Sequence, residues 1–250
     1  MTHLLPTAST PLDPVITRQG SDADQAWHLF LYLGYAVMAL VAVLVAVVVV
    51  RYRRRGDDLP QQKHYNIPVE LVYTIVPLVV VLGLFVVSWR TIDTIEASPP
   101  DDDLVVDVTA FQWQWRFDYP DSDVTVVGGA DPDELPVLVL PEGSRVRFHL
   151  ESLDVIHSFW VTAFRFKRDM IPGSPTEFTV DLLDDVAGDY PNAGACAEFC
   201  GYDHARMRFG LRVLPADEFA AWVTEHAGTT VVGDSDAARP APPADEGVTS

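Results

Sequence analysis

The sequence predicts a two-helix transmembrane hairpin followed by an all-β external domain, a sandwich or barrel. Three observations lead there. Two uncharged apolar blocks, "LFLYLGYAVMALVAVLVAVVVV" (29–50) and "LVYTIVPLVVVLGLFVVSW" (71–89), lie early in the chain. From Leu104 onward the pattern becomes short runs rich in Val, Phe and Trp, separated by Pro, Gly and Asp turns. The formal charge of −19 is concentrated after the hairpin, since 28 of the 36 acidic but only 10 of the 17 basic residues fall from Ala97 on. An acidic surface of this kind repels nucleic acid, which is excluded as a partner, and favours cationic proteins through association rate and salt dependence.

Residues 1–26 hold no continuous apolar core and are interrupted by three prolines and a glycine. They are expected to form an external N-terminal segment without a cleavable signal, which leaves the first block as a retained anchor. That block is 22 residues long, about 33 Å as a helix, enough for a hydrocarbon core of about 30 Å. A soluble helix of this length would carry a polar stripe, and this one has none. The second block is β-branched and contains Pro77, yet an isolated segment in lipid satisfies its backbone only as a helix. Together they define a hairpin over 27–96. Arg51, Arg53, Arg54 and Arg55 abut the first block, so the connecting loop is expected in the cytoplasm, with both termini outside a cell membrane. Trp27 and Trp89 then fall at the outer ends, where aromatic belts sit.

The external domain is expected over 97–226. "LVVDVTAFQWQWRFDY", "LPVLVLPEGSRVRFHLES", "HSFWV", "TEFTVDLL" and "MRFGLRVL" read as its strands, and "PADEFAAWVTEH" as a short closing helix. The Pro-rich acidic stretch 227–250 reads as a disordered tail.

Chemistry concentrates in "CAEFCGYDHARM", 196–207, which holds the only two cysteines of the chain with a histidine and a methionine just downstream. A disulfide is compatible with an external domain but would close a tight loop for little entropy and leave His204 and Met207 without a role. A thioredoxin-like copper chaperone needs βαβ units, and no crossover helix intervenes here. Structural zinc takes two Cys and two His but has no use for a methionine. Two thiolates, imidazole and a thioether form the donor set of copper electron-transfer sites. A mononuclear blue site uses one cysteine, so two in one loop suggest a copper pair sharing both thiolates. Sharing spreads the odd electron over both metals and lowers the reorganisation energy. A further donor candidate is His157 in "DVIHSFWV", 39 residues upstream of Cys196, which taken singly reads as an ordinary strand histidine.

The spacing Cys-x-Glu-x-Cys-x-x-x-His-x-x-Met, with the preceding "DVIHSF", resembles cytochrome c oxidase subunit II, the subunit bearing the binuclear CuA centre. The resemblance covers about 27–226, and "AFQWQWRF" and "DVIHSFWV" look most like the actinobacterial branch. It implies a cupredoxin-like external domain. It implies His157 and His204 as nitrogen ligands, Cys196 and Cys200 as bridging thiolates, and weak contacts from Met207 and the Glu198 carbonyl. It further implies that the Glu198 carboxylate faces magnesium at the boundary with subunit I. Trp113 is then the residue through which electrons enter, whereas Trp115 reads as strand core; Gln114 stands between them where the family often has tyrosine. Asp154 matches an acidic position of the family's cytochrome-facing surface. Glu70 matches a glutamate at the mouth of a proton pathway, although an acid at a membrane boundary can also simply reach water. The implied partners are oxidase subunits I and III, the lipid bilayer, and a c-type cytochrome or tethered cytochrome c domain on the acidic outer face. The haems, the reduction of oxygen to water and proton pumping belong to the complex, because this chain lacks a histidine cluster within the membrane.

The other classes to weigh are a quinol oxidase subunit II, which lacks the copper ligands; a nitrous oxide reductase domain, which lacks the hairpin; and a copper-delivery protein holding one exchangeable ion.

Overall fold

A computed structural model describes residues 14–54, 56, 64–97, 104–129 and 134–233. Two units emerge, one comprising 22–95 and the other comprising the N-terminal stretch through Ser21 together with the chain from Glu96.

The first unit contains α1 (Arg18–Arg51) from Asp22 onward and α2 (Ile67–Ile95), two helices long and apolar enough to cross a membrane. Each extends beyond the apolar block that identifies it, because a helix continues into polar sequence wherever no breaker intervenes. Pro77 lies inside α2. Of the arginines following the first block, Arg55 lies outside the described residues.

The second unit is a two-sheet sandwich. Its strands are β1 (Leu104–Phe111), β2 (Gln114–Tyr119), β3 (Val124–Val127), β4 (Val137–Pro141), β5 (Arg145–Ser152), β6 (His157–Val161), β7 (Phe166–Met170), β8 (Thr176–Asp181), β9 (Gly188–Cys196), β10 (Arg208–Leu214) and β11 (Thr230–Val232), with α3 (Ala216–His226) before the last. One sheet runs β11-β3-β2-β1-β5-β8 and the other β4-β10-β9-β6-β7. The β1–β5, β4–β10 and β3–β11 pairs are parallel, and the rest are antiparallel.

Alternation sets the core. Val106, Val108 and Ala110 of β1, Trp115, Phe117 and Tyr119 of β2, and Val146, Phe148 and Leu150 of β5 all point inward. Facing them, the Phe159 and Phe209 rings stack 5.1 Å apart, with Trp115 edge-on to both. Strand β9 passes beneath Phe209 at Gly194, where any side chain would collide with that ring. The Tyr119 hydroxyl, fully buried, bridges the sheets: it donates to the Val139 carbonyl and accepts from the Val139 amide, both at 2.9 Å. Burial pushes its ionisation well above the usual tyrosine range. Tyr119→Phe leaves a donor and an acceptor of β4 unpaired inside the protein, and is expected to lower unfolding free energy by about 1–3 kcal/mol in denaturant titration.

Two segments differ from expectation. Part of the N-terminal segment belongs to the β-unit: Ile16 is buried in its core, its amide donates to Ala163 O, and its carbonyl accepts from Leu183 N. Thr17 pairs with Leu182, and the Gln19 side chain binds both the amide and the carboxylate of Asp181. The stretch read as a disordered tail begins with β11, which adds to the sheet edge beside β3. In both places one or two apolar residues and main-chain hydrogen bonds hold the segment, too little apolar content for a compositional reading to register. Residues 234–250 lie outside the described residues.

Candidate metal centre

The donors meet at one end of the sandwich because strand register brings their carriers together. β6 and β9 pair antiparallel with Phe159 opposite Cys196, so His157, two residues before Phe159 on the same inward face, lies beside that cysteine. After Cys196 the chain leaves the sheet, turns through a single turn of 3-10 helix at His204–Arg206, and re-enters as β10. Bonds from Cys196 N to Met207 O at 2.9 Å and from Ala197 N to Ser158 O at 3.0 Å close the base of this loop.

The two cysteines are free and buried, their sulfurs 3.8 Å apart. Around Cys196 Sγ lie His157 Nδ1 at 3.7 Å and the Glu198 carbonyl at 3.2 Å. Around Cys200 Sγ lie His204 Nδ1 at 3.5 Å and Met207 Sδ at 3.8 Å. His157, Cys196 and Cys200 offer ligand atoms all within 4.8 Å of one another. Each sulfur thus has one imidazole and one weak donor of its own and shares the space between them with the other sulfur. This donor set fits a pair of soft metal ions bridged by two thiolates. The Glu198 side chain is exposed, and only its carbonyl joins the cluster.

Burial disfavours the charged form of Cys196, but His157 and the amide of Ser158 outweigh it and bring this thiol down to about 6. Burial, reinforced by the charge on Cys196, pushes Cys200 up to about 12.

Asp154 is not a free surface acid. Its carboxylate accepts the Gln112 amide at 2.7 Å and the Val155 amide at 2.6 Å, and lies 2.9 Å from His157 Nε2. Burial works against the charge, but these partners hold the carboxyl below its ordinary range. The same contact orients the imidazole so that Nδ1 faces Cys196. Sequence reading missed both this role and Gln112; the one available signal was the acid three residues before a candidate ligand.

Half-buried Trp113 donates its Nε1–H to the Cys200 carbonyl at 3.2 Å. Trp115 is fully buried, its ring centroid 6.4 Å from that of His157. Glu70 belongs to the other unit, in the first turn of α2, where its carboxylate accepts the Asn66 amide at 3.0 Å.

Comparison with known proteins places these features in context. The family model described as cytochrome C oxidase subunit II, transmembrane domain, matches residues 9–91, and that described as the periplasmic domain of the same subunit matches residues 132–213. Cytochrome c oxidase subunit 2 of Corynebacterium glutamicum is 34% identical over 224 residues, covering 70% of this chain and 62% of that protein. Probable cytochrome c oxidase subunit 2 of Streptomyces avermitilis is 34% identical over 246 residues, covering 84% and 75%. Among solved structures, the periplasmic domain of subunit II of cytochrome oxidase of Bradyrhizobium japonicum is 34% identical, covering 51% of this chain and 95% of that one with a TM-score of 0.44.

Proposed function

Because the chain belongs to the cytochrome c oxidase subunit II family, we propose that it is the subunit through which electrons from a c-type cytochrome reach haem a of subunit I, for oxygen reduction coupled to proton pumping. The observation that carries this reading is the cluster of two free thiols with two imidazoles, a thioether and a carbonyl, each within 3.8 Å of a sulfur. A binuclear copper centre held here supplies one-electron storage with little change in bonding.

The chain's own residues divide the remaining work. Cys196 and Cys200 would hold the coppers through their thiolates, with His157 and His204 as nitrogen donors and Met207 and the Glu198 carbonyl as weaker donors. Asp154 fixes the His157 ring, and burial of the thiols keeps water from the sulfurs. Trp113 joins the outer surface to the Cys200 carbonyl, a short covalent and hydrogen-bonded route into the loop. The exposed Glu198 carboxylate would supply an oxygen to magnesium shared with subunit I. Glu70 marks the mouth of a proton pathway. The subunit sits in the cell membrane with the helix connection in the cytoplasm and the β-unit outside. Subunit III joins the complex, and the docking cytochrome, free or tethered, meets the acidic outer face.

Copper analysis and EPR on the full chain in detergent test this. Two coppers per chain, with hyperfine splitting over two equivalent nuclei, are expected. One copper with an ordinary mononuclear signal, or zinc alone, would point to a carrier or structural site instead.

A further inference from the structure

Gln112, in the turn between β1 and β2, touches both halves of the metal site without being one of its donors. Its backbone amide donates to Asp154, which holds His157. Its side-chain Nε2 donates to the Cys200 carbonyl at 2.7 Å, beside the Trp113 indole on the same oxygen. These halves are carried by different elements, since His157 opens β6 whereas Cys200 stands in the middle of the loop between β9 and β10. The bonds at the loop base involve Cys196, Ala197 and Met207 and do not reach Cys200. Its neighbours Phe199 and Tyr202 are 77% and 92% exposed and give the loop tip little packing. The close approach is built in at Gly201, where φ is +120° and a side chain would come within 3.1 Å of the Gln112 Nε2.

We infer that Gln112 is a positioning residue that holds the His157 segment and the Cys200 loop at a fixed separation, so that the donor set is assembled before metal arrives. Gln112 acts through the Cys200 backbone and the Asp154 carboxylate. A preassembled set avoids the ordering cost that a loose loop would incur on binding. The effect on metal rests on the copper reading above; the effect on the loop does not.

The test compares the full chain in detergent with Gln112→Ala and Gln112→Glu. The control is Gln114→Ala, whose side chain points to the Gly129 carbonyl instead of the loop. In the metal-free chain, hydrogen exchange of amides 197–207 is expected to rise about fivefold in both Gln112 variants, the loss of one neutral hydrogen bond. Amides of β1 and β5 should keep wild-type protection, and the control should match wild type throughout. In the copper-loaded chain, chelator extraction is expected to quicken about fivefold and the hyperfine pattern to become unequal between the two nuclei. Unchanged loop exchange, or an equal rise over the whole β-unit, would overturn the positioning role. If the loop loosens selectively but no variant, wild type included, takes up copper, the positioning role stands and the copper reading fails.

Discussion

Cys200→Ser is expected to abolish the binuclear copper signal while leaving the β-unit folded. Serine matches the thiol in shape, but its hydroxyl is a hard donor that does not ionise near neutral pH, so it cannot bridge two soft metals. The site is arranged so that this one sulfur has three of the other donors in reach: Cys196, His204 and Met207. Its loss strips His204 and Met207 of their shared anchor, and copper content should fall from two ions to at most one per chain. Fold loss is not the expected cause, because serine keeps the shape of the buried Cys200 side chain and residue 200 lies outside both sheets. Near-infrared absorption and EPR are the measurements, with circular dichroism as the fold control. Wild-type-like near-infrared absorption in this variant would falsify the bridging assignment.

The two neighbouring tryptophans are expected to fail in opposite ways. Trp115→Ala empties the space between Phe159, Phe209 and His157, and is expected to cost about 3–5 kcal/mol of stability. Trp113→Ala removes a half-buried ring at the edge of the core and a hydrogen bond to the Cys200 carbonyl. It should lower unfolding free energy by only about 1–2 kcal/mol and slow electron uptake from reduced cytochrome c by about tenfold or more, at least about 1.4 kcal/mol on the barrier. Denaturant titration and stopped-flow oxidation of the cytochrome separate the two. A Trp113 variant with wild-type electron uptake would remove that residue from the route.

The candidate donors stood out in the sequence because sulfur and imidazole are rare and chemically specific, and four of them fall within twelve consecutive positions. His157 was legible only through the motif, since nothing local distinguishes a ligand from a packed strand histidine until β6 lies against β9. Gln112 escaped for a similar reason: its partners lie 42 and 88 residues away, and only the fold sets those distances. The Asp154–His157 contact spans three residues, but the sequence does not show which way that carboxylate turns. The helices were legible from apolar length, but their ends were not, because a helix runs on into polar sequence without a signal. The short closing helix was read from its composition and stands as α3. Strand β11 and the Ile16–Gln19 stretch were invisible because main-chain pairing, common to all sequences, holds much of them.

That early stretch also imposes a rule of parity. Thr17 donates to the Phe164 carbonyl, a partner synthesised 147 residues later, with both apolar helices between them. Two residues in contact share a compartment, so wherever the proposed membrane placement holds, the chain between them crosses the bilayer an even number of times. A topology in which only one helix crosses is thereby forbidden, whichever way the hairpin points. The contact itself cannot form until the chain has been made as far as Phe164, so Thr17 is among the last residues of its region to be fixed in place.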